Sequence, residues 1–69
     1  MNTQQVIGSR IRALRERKKL TQEALALRIG FKSNTISRLE RGAMKPQEDS
    51  LFMLLKELGV TIGQLYKGL

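Results

Sequence analysis

Two short helices joined by a tight turn are written into residues 21–42, TQEALALRIGFKSNTISRLERG. Thr21 is placed to cap the first, because its hydroxyl can accept from an N–H that the opening helical turn leaves unpaired. Leu25, Ala26 and Ile29 recur at helical spacing on one face. Gly30 stands where a helix ends in a left-handed residue, a conformation glycine adopts without steric penalty. Ser33 is placed to cap the second helix, Ile36 and Leu39 form its apolar face, and Gly42 stops it. Ser33, Asn34, Thr35, Ser37, Arg38 and Arg41 are left facing largely away from the core. A free face of hydroxyls, an amide and guanidiniums is equipped to read a polar partner.

The rest of the chain reads as three further helices. Thr3 to Lys19 is the first, with Ile7, Ile11 and Leu14 as an apolar stripe. Gly8 inside it costs about 1 kcal/mol against alanine, and it either permits close packing or weakens the first turn. Leu20 is a core candidate in the short connection that follows. After the central pair, Pro46 ends a loop, and Glu48 and Asp49 suit the positive end of a helix running to about Leu58. Leu51, Leu54, Leu55 and Leu58 form its core face. Phe52 and Met53 widen that band beyond what one side of a small core needs. Gly59 ends it. Thr61 and Gln64 make a T-x-x-Q capping box for a last short helix, with Ile62 and Leu65 expected to face inward. The expectation is an all-α, five-helix fold forming one domain over residues 1–69. Every segment has an apolar face, but none would fold alone.

Composition narrows the chemistry. The chain of 69 residues has no cysteine and no histidine, and only six carboxylates. A disulfide framework and thiolate metal sites are excluded, the usual catalytic and metal-ligating groups are nearly absent, and neither enzyme activity nor a cofactor is expected. No apolar run approaches the roughly 20 residues of a membrane span, and the N-terminus lacks the order of a signal peptide. Cytoplasmic location is the expectation. The net charge is +7, unevenly spread: residues 1–45 carry 11 basic and 3 acidic side chains (+8), residues 46–69 carry 2 and 3 (−1). A solvated surface would account for charge alone, but this asymmetry points to a polyanion on one face.

The order of features in residues 21–42 resembles the helix-turn-helix of the lambdoid phage repressor and Cro family. The residues that carry the resemblance are T-Q-E-A-L-A, Ile29-Gly30 and S-N-T-I-S-R-L-E-R-G, flanked by I-x-x-x-I-R-x-L-R-E before and by K-P and L-G-V after. It extends from about Ile7 to Leu65. It implies a bacterial or phage-encoded, nucleoid-associated regulator, most simply a repressor, that binds double-stranded DNA and needs no small-molecule ligand. The N-terminal residues of helix 3, Ser33 and Asn34, would meet base edges in the major groove, with Arg38 one turn on and Ser37 beside it. Gln22 would bond a phosphate and brace the reading helix. Arg15 and Glu40 would form a partly buried salt bridge. The resemblance is imperfect at Gln47 and Glu48, so the entry to helix 4 is expected to be looser or shifted.

Side-chain chemistry agrees independently. Arginine can take guanine O6 and N7 bidentately, and asparagine adenine N6 and N7, which suggests Arg38 for guanine and Asn34 for adenine. The plain alternatives are a solvated arginine and a helix cap. Arg10, Lys19, Lys32, Thr35, Arg41 and Lys45 are phosphate candidates, as are the backbone N–H groups opening helices 2 and 4.

A domain this small covers little DNA, and the family solution is a two-fold homodimer on a pseudo-palindrome. The nearly neutral C-terminal part should supply the interface: Gly59, Val60, Thr61, Tyr66, Leu69 and spare apolar groups of helix 4. The rival reading is an antitoxin-like or assembly module that uses the apolar C-terminal half to bind another protein.

Overall fold

The computed structural model describes all of residues 1–69. Five helices follow in order: α1 (Thr3–Arg17), α2 (Gln22–Ile29), α3 (Ser33–Glu40), α4 (Glu48–Leu58) and α5 (Ile62–Leu65). α3 lies between α1 and α2 and packs on both, α4 rests on α2, and α5 rests on α1. Eleven buried apolar residues form one cluster, with Ile11, Leu25, Ile36 and Leu54 at its centre. No helix is long and apolar enough to cross a membrane.

The helix ends follow local chemistry. Thr21 accepts from the Ala24 amide, and Thr61 and Gln64 form the reciprocal box that opens α5. Gly30 closes α2 at φ 74°, and its amide donates to the Ala26 carbonyl. That left-handed residue is what allows α3 to start only three positions later. A second capping box, Asn2 with Gln5, opens α1. It obeys the same i, i+3 rule as the box at Thr61.

Some boundaries and faces differ from expectation. α1 ends at Arg17, two residues early, because the Lys18 and Lys19 amides turn back to Arg15 and Glu16. Lys19 sits in the left-handed region at φ 58°, the one residue other than glycine to do so. Ser33 does not cap α3. Lys32 holds the cap position without a side-chain bond, and Ser33 is the first helical residue. Gln47 likewise opens α4 without a side-chain cap. Ile62 does not face inward: it is 56% exposed, and Phe52 is 67% exposed. α5 is a single turn resting on α1, so only the side carrying Leu65 finds cover.

Gly8 resolves in favour of close packing. A β-carbon there would overlap the carbonyl oxygens of Leu39 and Glu40, standing 2.5 Å from the latter. The end of α3 therefore lies directly on the backbone of α1.

Candidate nucleic-acid interface

α3 is held by a buried polar network that begins on α1. Arg15 donates to Glu40 through Nε at 2.6 Å and Nη2 at 3.0 Å, and through Nη1 to the Leu20 carbonyl at 2.7 Å. Gln22 Nε2 donates to the remaining face of Glu40 Oε1 at 3.1 Å. Four segments are thus tied at one point: the end of α1, the turn after it, the first residue of α2 and the last of α3. The pair is almost wholly out of solvent. The hydrogen bond to Glu40 is the main reason the Arg15 guanidinium is held above its usual pKa. Burial opposes this, and the charges of Glu40 and Glu16 add to it. No buried side-chain polar atom in the protein lacks a partner, which is the condition for such a network to rigidify rather than weaken a fold. Arg15 and Glu40 are brought together as the sequence suggested, and Gln22 joins them as a brace.

This network fixes α3 from behind and leaves its outer face free. Asn34 and Arg38 are exposed, one turn apart on the same side of the helix. Ser33 and Ser37 are half-buried beside them. Asn34 does not cap the helix, and Arg38 enters none of the ion pairs. The first-turn amides of α3 receive no side-chain cap, so its positive end is open to an anion. Lys32 and Thr35 line an open concavity of about 440 Å³ between the starts of α3 and α4, with Gln47 and Ser50 across from them.

The phosphate candidates do not share one disposition. Lys19, Lys32, Arg41 and Lys45 are exposed, and Thr35 is half-buried. Arg41 leans back along its own helix, with Nε 3.3 Å from the Ser37 carbonyl. Arg10 differs from the rest. Its Nη1 donates at 2.8 Å to the carbonyls of both Leu65 and Lys67, so its charge is turned to the C-terminal turn. The amides opening α4 lie beside Glu48 and Asp49, whose carboxylates already answer that helix's positive end.

Among the C-terminal residues, Gly59, Thr61 and Leu69 are exposed, and Val60 and Tyr66 are half-buried. The larger apolar exposure lies next to them. Phe52, Leu55, Val60 and Ile62 line a concavity of about 450 Å³ edged by Glu48 and Lys56. Helical periodicity assigned Ile62 to the core. The signal against that was the length of α5, one turn, which leaves a second apolar residue uncovered. The partners of Arg10 lie outside local sequence: nothing near residue 10 shows that two carbonyls wait 55 and 57 positions away.

Comparison with known proteins places this architecture. Residues 11–65 match the helix-turn-helix family. The uncharacterized HTH-type transcriptional regulator y4dJ of Sinorhizobium fredii is 39% identical over 61 residues, covering 88% of this chain and 79% of that protein. Repressor protein C2 of Salmonella phage P22 is 40% identical over 68 residues, covering 99% of this chain but 31% of the repressor. The chain thus spans about a third of that protein's length. The solution structure of the C2 DNA-binding domain superposes with a TM-score of 0.85 over 99% of this chain and 88% of that one. The clp gene regulator ClgR from C. glutamicum, at 23% identity, shares the fold with a TM-score of 0.89, over 96% of this chain and 85% of its own. With a family match across most of its length and a phage repressor domain sharing its architecture at 40% identity, the chain belongs to the helix-turn-helix family of DNA-binding regulators.

Proposed function

We propose that the chain binds a pseudo-palindromic operator in double-stranded DNA as a homodimer and represses transcription by occupying it. The observation that carries this reading is the free face of α3. Asn34 and Arg38 are exposed one turn apart on a helix whose other side is locked by the Arg15–Glu40–Gln22 network. A braced helix can present base-reading groups at a fixed angle, which lowers the ordering cost of binding. Arg38 reads a guanine and Asn34 an adenine, with Ser33 and Ser37 beside them. Lys19, Gln22, Lys32, Thr35, Arg41 and Lys45 hold phosphates and set the register. Arg10 leaves that set, because its guanidinium is already committed to two carbonyls.

Size and charge support the dimer. The domain measures 29 × 23 × 22 Å. Two copies in contact can therefore place their reading helices in successive major grooves, about 34 Å apart. The face around Phe52, Leu55, Val60 and Ile62 offers uncovered apolar area, and Thr61 sits at its edge. Glu48 and Lys56 border it with opposite signs. In a two-fold contact each surface meets itself, so Glu48 of one copy can face Lys56 of the other.

Arg38→Ala tests the reading. It should cost about 1–3 kcal/mol of operator affinity and relax preference at one position in each half-site. A fluorescence titration against an operator and its single-base variants measures both. Equal weakening on every sequence would reassign Arg38 to phosphate, and no weakening would remove α3 as the reader.

A further inference from the structure

We propose that Arg10 is a positioning residue that holds α5 in place for dimerisation. This rests on the dimer reading above. α5 has four residues, too few to be stable by itself. Its start is held by the Thr61–Gln64 box, and Leu65, its last residue, is anchored in the core. The turn beyond it, residues 66–69, has no fully buried side chain. The Leu69 amide turns back to Tyr66, so the carbonyls of Leu65 and Lys67 receive no backbone amide within the turn. Arg10 supplies both from α1, with Nη1 at 2.8 Å from each oxygen. A cation at a helix C-terminus is also favoured by the helix dipole.

The direction of the side chain separates this role from DNA contact. Gly8 and Arg15 lie on the flank of α1 that meets α3. Arg10, two residues from Gly8, lies on the opposite flank. There it shares a concavity with Ala13, Arg17, Val60 and Gln64. Val60 borders this concavity and the one around Phe52 and Ile62 as well. Arg10 therefore holds from one side the short turn whose exposed Ile62 faces the other. Releasing it frees α5 to fray, and the dimer surface must then be ordered at the moment of association.

The test uses the whole chain with Arg10→Gln and Arg10→Lys. Sedimentation equilibrium measures self-association, hydrogen exchange reports on the amides of Leu65 and Tyr66, and binding to a single half-site is followed against salt. Arg10→Gln should raise the dimer dissociation constant about tenfold or more and speed exchange at Leu65 and Tyr66, while Ile36 and Leu39 stay protected. Arg10→Lys should restore most of both, since an ammonium can still donate to two carbonyls. The salt slope on the half-site should match the wild type. A slope reduced by about one with unchanged self-association would make Arg10 a phosphate ligand and overturn the proposal. So would loosened exchange at α5 with an unchanged dimer constant. A wild-type chain that stays monomeric on and off DNA would contradict the dimer reading itself. The exchange arm would then decide separately whether Arg10 holds α5.

Discussion

Arg15→Met should destabilise the fold by about 3–5 kcal/mol, because it leaves the Glu40 carboxylate buried without its compensating charge. A domain of this size has a total stability of about 3–10 kcal/mol, so the loss can exceed half of it. Glu40 would keep only the Gln22 amide, and the Leu20 carbonyl would lose its donor. The double variant Arg15→Met with Glu40→Leu should recover much of the loss, since apolar residues of similar volume can replace a buried ion pair at little cost. Recovery should stay incomplete, because Gln22 and Leu20 are then left without partners. Urea unfolding of the wild type, both single variants and the double variant measures the coupling. An Arg15→Met protein as stable as the wild type would show that the pair does not brace the fold. The double variant has a second readout. Gln22 is released at the start of α2, so DNA affinity should fall even where stability returns.

Gly8→Ala is expected to destabilise the fold by about 3 kcal/mol, near the upper end for overpacking. Alanine improves helix propensity by about 1 kcal/mol, but its β-carbon has to enter the space held by the carbonyls of Leu39 and Glu40. Those atoms are backbone at the end of α3 and cannot rotate aside. Either α3 shifts away from α1, which strains the Arg15–Glu40 bond, or the first turns of α1 give way. For a domain of this size the melting temperature should fall by roughly 10–25 °C. Gly63→Ala is the control. Its β-carbon would meet only Thr61 Oγ1, at 3.8 Å, so the change should be neutral or slightly stabilising. Thermal melts of the two variants side by side decide the matter, and equal melting points would contradict close packing at Gly8.

What could be read from the sequence is governed by distance along the chain. The caps at Thr21 and Thr61 and the stop at Gly30 act within three or four residues, and each stands where local rules put it. The box at Asn2 and Gln5 is equally local and follows the same rule. Ser33 failed as a cap by a single position. Lys32 holds the cap position without a side-chain bond, and Ser33 is the first helical residue. Ile62, Phe52 and Arg10 belong to another kind. Periodicity tells which residues can share an apolar side, but not whether another element exists to cover it. Phe52 and Ile62 are exposed because the chain offers nothing to lay over them. Leu27, 85% exposed on the outer side of α2, is a third such residue. The direction of Arg10 is set by carbonyls that only the folded chain brings near. The outer face of α3 was legible because its residues are polar at positions where the helix turns away from its own apolar stripe.

The most direct test of the account is selection of binding sites from random DNA duplexes, performed with the wild type and with Arg38→Ala. The account predicts that the wild type enriches an inverted repeat whose half-sites are centred about 10 base pairs apart, or a whole number of helical turns. It also predicts that Arg38→Ala loses preference at one symmetric pair of positions and keeps the rest. Enrichment of unrelated or asymmetric single sites, or a pattern unchanged by Arg38→Ala, would contradict it.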